Sequence, residues 1–325
     1  MNRRRFAFGC IILLLTFAPL LYGGTNGGMA GAFGRMGAGA RAKALGDAYT
    51  GYADGPWAIY YNPGALSFLQ TREFSSALSI MALDRSLHFL SFATPLRPKT
   101  GKVHADAGFG IGWLHAGVGD IDSRGFDGEP LDMMSQSSNL FFFSFANRFH
   151  PRVGVGITAK VAYETFGRIG EGGTSINGSG FGLDFGVHAR PIENLFVGAQ
   201  VKDAALKTTW NTTSYWEQGT TKADKWPLQY RLGAAYRPLP YLLGLADVEG
   251  SSEKDWRLHL GAEGMWRLTD KQTFALRTGL SHEDLAFGFG FYFAFWRVTS
   301  KVDFAYVIES VAPEDTQVLS WSVEF

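Results

Sequence analysis

Between Ala286 and Trp296, phenylalanine occupies every odd position from 287 to 295, with Gly288, Gly290, Tyr292 and Ala294 between. A strand turns successive side chains to opposite faces, so this segment has one aromatic face and one of mostly small residues. Three more segments repeat the pattern. Phe181, Leu183, Phe185, Val187 and Ala189 alternate with Gly182, Asp184, Gly186, His188 and Arg190. In 153–164 an apolar odd set alternates with Gly154, Gly156, Thr158, Lys160 and Glu164. Leu258, Leu260, Ala262, Trp266 and Leu268 alternate with His259, Gly261, Glu263 and Arg267. Strands of a soluble sandwich also alternate, but most are about five or six residues long. A run of about ten, apolar on one parity, is what a strand crossing a bilayer requires.

Fourteen such segments can be counted: 73–83, 86–95, 105–115, 138–147, 153–164, 180–190, 195–203, 227–237, 241–248, 256–268, 273–281, 286–296, 298–309 and 316–325. An even count puts both ends of a barrel on one side, and connection length then follows strand parity. The connections 148–152, 191–194, 238–240 and 269–272 are short, as is the one near Arg297; 116–137, 165–179 and 204–226 are long. The 96–104 connection is a long exception on the short side. The chain ends on a strand whose Leu319, Trp321, Val323 and Phe325 share a face opposite Ser320, Ser322 and Glu324. A barrel must pair its last strand with its first to leave no open edge. The expected fold is an all-β transmembrane barrel of about 14 antiparallel strands.

The first residues have another purpose. Arg3, Arg4 and Arg5 precede an apolar run from Phe6 to Leu21, and Gly23 and Gly24 follow. That is the pattern of a secretory signal peptide, expected over 1–24. Cys10 is the only cysteine, so the exported chain is expected to contain no disulfide. Beyond the leader no apolar run approaches the roughly 18 residues of a spanning helix. A formal net charge of zero offers no electrostatic argument for nucleic acid. The 41 glycines and 27 phenylalanines suit a barrel whose two faces average out in hydropathy.

Residues 25–72 do not read as strand. They are rich in Gly and Ala, and Gly55-Pro56 and Asn62-Pro63 force turns. Small residues permit close backbone packing against an enclosing wall, so the segment is expected to be a plug within the lumen of a 73–325 barrel. Residues 39–66, GARAKALGDAYTGYADGPWAIYYNPGAL, resemble the N-terminal signature of the FadL-like outer-membrane barrels, most nearly the PorV/PorQ branch. Gly64 departs from that pattern, which has alanine after Asn-Pro. The resemblance implies an N-terminal hatch, with Gly46 inside the motif and Asn62 and Pro63 at its turn. It implies that Arg41, Asp47 and Asp54 tie the hatch to the wall. It further implies recognition of Trp321, Val323 and Phe325 by the barrel-assembly machinery, and a site in the bacterial outer membrane among its lipids.

By parity the lumen is lined by Lys160, Glu164, Asp184, His188, Arg190, Arg231, Glu263, Arg267, Arg277 and Asp303, joined by Arg237, His259, Lys301 and Glu309. Mixed signs favour cross-bracing and hatch attachment over a one-sign selectivity ring. Histidines 88, 115, 188, 259 and 282 lack zinc spacing, and no serine nucleophile elbow occurs. Asp120-Ile-Asp122-Ser-Arg124-Gly125 is a poor calcium loop, with Arg124 where an oxygen donor belongs. No enzyme activity, metal or cofactor is expected. In the long 204–226 loop, Trp210, Tyr215, Trp216 and Trp226 are expected to be exposed, catching a ligand, meeting a partner or lying at the membrane interface.

Two functions stay open at this point. One branch of the resemblance implies passage of small hydrophobic, fatty-acid-like molecules across the outer membrane. The PorV branch implies a partner of secretion-system proteins in secretion or surface attachment, without small-molecule transport.

Overall fold

The computed structural model describes residues 28–97, 106–125, 127–169, 173–213, 219–253, 256–282, 284–310 and 312–325. The expected signal peptide, 1–24, lies outside them, as do Tyr215, Trp216 and most of the 96–104 connection.

Among the described residues, sixteen strands form one antiparallel sheet. They are β1 Glu73–Met81, β2 Arg85–Leu96, β3 Asp106–Ile121, β4 Met134–His150, β5 Val153–Ile169, β6 Thr174–Ile192, β7 Leu195–Ala204, β8 Lys207–Asn211, β9 Thr221–Lys225, β10 Gln229–Leu239, β11 Leu242–Ser251, β12 Trp256–Thr269, β13 Gln272–Ser281, β14 Asp284–Phe295, β15 Val298–Ile308 and β16 Thr316–Glu324. Fourteen of them, β1–β7 and β10–β16, close into a barrel. Closure comes from β1 against β16, with Glu73 opposite Glu324 and Leu78 opposite Leu319. Arg72 and Phe325 extend that ladder by two bonds, at 3.2 and 2.9 Å. The other two strands, β8 and β9, form a hairpin within the long 204–226 connection and pair onto β6.

The barrel has two heights. Strands β3 to β6 run 16, 17, 17 and 19 residues, whereas β1 and β10–β16 run 9 to 14. The expected ten-residue strands are therefore too short on one side. Much of the 116–137 and 165–179 connections is strand, because polar alternation such as Ser135–Asn139 pairs as well as apolar alternation does once a neighbour is present. Six extra residues per strand, tilted as barrel strands are, raise this rim by about 15 Å.

Outward side chains form an apolar belt. Phe141, Phe143 and Phe145 are exposed on β4 while Leu140, Phe142 and Ala146 between them are buried. Phe287 and Phe289 on β14, Leu232 on β10 and Leu276 on β13 continue the belt. Phe149, Tyr241, Trp266 and Trp296 ring the end nearest the barrel's chain ends, and Tyr163, Tyr230, Trp256 and Tyr306 ring the other. Apolar area of this extent, bounded by two aromatic girdles, is the surface of a barrel in a bilayer.

The chain before β1 folds inside. It contains a 3₁₀ turn at Ala32–Arg35, α1 Ala40–Ala44, a 3₁₀ turn at Gly55–Trp57, α2 Ala58–Tyr61 and a 3₁₀ helix at Pro63–Phe68. These pieces are short because the sequence interrupts them. Gly39 and Gly46 adopt positive φ on either side of α1. Pro63 opens the last piece, where Asn62 Oδ1 accepts from Gly64 N at 3.1 Å.

Candidate functional site: the hatch and the lumen above it

The inner wall's glycines explain how the hatch fits. A methyl group added at Gly64 would sit 2.8 Å from His188 N and 2.9 Å from Gly154 O, and one at Gly46 would sit 2.5 Å from Leu280 O. On the wall, a side chain at Gly156 would overlap the Pro63 carbonyl, and one at Gly108 the Leu66 carbonyl. Hatch backbone thus lies directly on strand backbone, a distance only glycine permits.

On the β2–β4 flank the contact is apolar. Phe89, Leu114, Leu140 and Phe142 share one buried cluster with Trp57, Ile59, Tyr60 and Leu66. On the β10–β15 flank it is ionic. Glu263 on β12 accepts from Arg41 Nη2 at 2.7 Å and from Arg277 Nε at 2.6 Å. Arg277 continues to Asp303 at 2.8 Å, and Tyr292 donates to the same carboxylate at 3.2 Å. Arg231 pairs with Glu249 at 2.6 Å and donates to the Asp47 carbonyl at 3.2 Å. His259 Nε2 lies 2.9 Å from Arg231 Nη2, and Nδ1 lies 2.9 Å from the Gly46 carbonyl. Asp247 accepts from Thr50 N at 2.8 Å, and Ser320 from Ala40 N at 3.2 Å.

Of the hatch residues singled out in the sequence, Arg41 reaches the wall through Glu263. Asn62 does so through Val187 O at 2.9 Å, while also donating to Thr50 O. Gly46 and Pro63 meet it by backbone packing. The carboxylates of Asp47 and Asp54 differ from expectation: they bind within the hatch. Asp47 pairs with Lys43 at 2.8 Å and accepts from Tyr61 at 2.7 Å; Asp54 pairs with Arg41 at 2.5 Å and accepts from Tyr49. Lys43 and Tyr49 lie four and five residues from their carboxylates, and Arg41 and Tyr61 thirteen and fourteen, so partners within the same short segment satisfy them first. Burial alone would raise the Asp47 carboxyl, but the adjoining Lys43 ammonium outweighs it and holds the group below the usual range.

Among the expected lumen residues, Lys160 is buried between Asp184, at 2.7 Å, and Asp203. Glu164 accepts from Thr208 at 2.9 Å and Ser138 at 3.3 Å. His188 lies edge-on to Phe68 at 5.1 Å, and Arg190 stacks over the same ring at 4.4 Å. Arg267 stands apart, exposed at the end of β12 near the β12–β13 turn. On the closing strand, Trp321 points outward and donates to Ser300 at 2.7 Å, and Phe325 is exposed. Trp226 departs from expectation too. It turns inward, packs on Phe33 at 5.6 Å and donates to Thr208 at 2.9 Å. Alternation could not reveal Lys202 and Asp203, consecutive residues that are both buried. The positive φ of Asp203 breaks the strand's two-residue period there.

Above the hatch, toward the end opposite the chain ends, lies a cavity of about 210 Å³. Its floor includes Arg35, Met36 and Tyr60, and its sides include Lys202, Arg231, Glu249 and Glu309. Among the described residues no group of three or more His, Cys, Asp or Glu side chains could hold a metal ion.

No family profile matches the chain, and no curated protein matches it. Solved structures do. The Pseudomonas putida toluene transporter TodX matches with a TM-score of 0.64 at 13% identity, covering 89% of this chain and 99% of that one. The fold is FadL-like. The Ralstonia pickettii toluene transporter TbuX matches at 0.61 and 14% identity over 89% and 98% of the two chains. A FadL homologue from Pseudomonas aeruginosa matches at 0.56 and 10% identity over 86% and 95%. In this FadL-like barrel the 39–66 segment forms the greater part of the hatch body.

Proposed function

We propose that this protein is an outer-membrane barrel, exported by a cleaved signal peptide, that passes small hydrophobic molecules inward past its hatch. The observation that carries the reading is the likeness, over nearly the whole length of both chains, to barrels described as toluene transporters. The outward-opening lumen above a hatch is consistent with cargo arriving from outside. Fatty-acid-like molecules and monoaromatic hydrocarbons are the two cargo classes to separate. No catalytic step belongs to the proposal. Insertion by the barrel-assembly machinery, reading Trp321, Val323 and Phe325, is part of it.

The test is uptake of labelled oleate and of toluene by cells that lack their own channel and express the full chain. Saturable uptake of either above the empty-vector level is expected. Unchanged uptake of both, with the barrel folded in the outer membrane, sinks the proposal. One observation favours a second reading, a barrel serving secretion-system proteins. The hatch is bonded on several sides, and β3–β6 with the β8–β9 hairpin stand well above the rest of the rim. Deleting 207–225 would then abolish surface display of a defined cargo protein and leave uptake at its background level.

A further inference from the structure

The cavity above the hatch has a polarity that a hydrocarbon cargo does not explain. Arg35 donates Nη1 to Ala30 O at 2.9 Å, but its Nε and Nη2 are buried without a protein acceptor. Lys202 is buried with its ammonium 3.8 Å from the Tyr60 ring centroid, and among the described residues it makes no ion pair. Gln229 Nε2 is also buried and unmatched. Every unmatched buried side-chain atom on the cavity's described lining is an N–H donor; none is an acceptor.

Each acid of the lining is hydrogen-bonded within the protein, two of them to cations and two to neutral donors only. Asp47 holds Lys43 and Tyr61, and Glu249 holds Arg231. Asp284 accepts from Ser310 N and Oγ at 2.9 and 2.8 Å, and Glu309 from Thr316 at 2.6 Å. Asp203 and Asp184 adjoin Lys202 but are held by Lys160; a buried cation left outside an ion pair is costly, and guanidinium N–H groups bond most strongly to charged oxygens. A volume of about 210 Å³ admits one compact solute or the polar head of a longer one.

We infer that this cavity is a binding site for a compact oxyanion, a carboxylate or phosphate group, held by Arg35 and Lys202 with Gln229. The inference does not rest on the proposed passage of hydrophobic molecules, since the site would fill whichever cargo the barrel carries. The anion comes either free from solution or as the head of a lipid lodged at the mouth.

The experiment uses the full chain purified in a neutral detergent. Calorimetric titration with inorganic phosphate and with acetate forms one arm, and lysophosphatidic acid in mixed micelles forms the other, all at constant ionic strength with chloride as the control. Saturable binding in at least one arm is expected, weakened about tenfold or more by Arg35→Gln and by Lys202→Gln, and largely kept by Arg35→Lys. Binding of phosphate or acetate identifies a free anion; binding of the lysolipid alone identifies a headgroup. Migration of unheated samples as the compact barrel shows that each variant has folded. No binding in either arm, or binding that Arg35→Gln and Lys202→Gln leave unchanged in folded protein, overturns the inference. Either result can be obtained whether or not uptake is seen, so the two readings fail separately.

Discussion

The hatch is held differently on its two flanks. Against β2–β4 it meets phenylalanine and leucine, and the contact needs only shape and dryness. Against β10–β15 it meets a chain of carboxylates and guanidiniums running from Arg41 through Glu263 and Arg277 to Asp303. Packing tolerates small shifts of position, since dispersion and burial have little direction. A buried ion pair tolerates few, because each charge depends on its partner being within hydrogen-bond reach. The apolar flank therefore gives adhesion and the ionic flank gives position.

The largest expected effect tests the ionic flank. Glu263→Gln leaves Arg41 and Arg277 buried around a neutral amide, at a cost of about 3–5 kcal/mol. Urea unfolding in detergent measures it, and a loss under about 1 kcal/mol would mean that this flank is hydrated. Next, Leu114→Ala opens a cavity on the apolar flank, worth about 2–4 kcal/mol. Its cost should be the same at low and high salt; marked salt dependence would erase the distinction between flanks.

Backbone fit comes third. Gly156→Val forces Pro63 off the wall, for about 1–3 kcal/mol, and amide exchange should speed up across 62–68. Gly119→Val, at a rim position with nothing nearby, is the matched control and should change neither. The smallest effect concerns acid. Asp47 titrates below its usual range, so its contribution is intact above the unfolded carboxyl value of about 3.9 and is lost as pH falls through the lowered one. Protease protection of the hatch should stay constant from neutral pH to about pH 4 and weaken only in stronger acid. Weakening already near pH 6 would point to a histidine instead.

Much of this was legible in the chain itself. The fourteen segments, the pairing of the last strand with the first, and a non-strand insert before Glu73 follow from period-two alternation, loop parity and glycine-proline punctuation. Those signals are local, because strand geometry imposes them residue by residue. Other features had no local signal. The polar upper parts of β4 to β6 lack an apolar face, so they look like loop until a neighbouring strand pairs with them. Trp226 reads as an exposed loop aromatic, yet the bend between β9 and β10 turns it onto Phe33. Lys202 and Asp203 break parity at a residue of positive φ, which no composition rule marks.

The sequence by itself determined that there is a wall, how many strands it has, and which parity faces inward. Only the tertiary structure decided which inward charges meet and which are left over. Arg41 and Glu263 stand 222 residues apart, and their contact depends on barrel closure, strand stagger and every bulge between them. The same closure leaves Arg35 and Lys202 on the cavity lining with no ion pair among the described residues, while Asp47 finds Lys43 four residues away. Alternation is a property of each strand alone; charge pairing is a property of the closed ring.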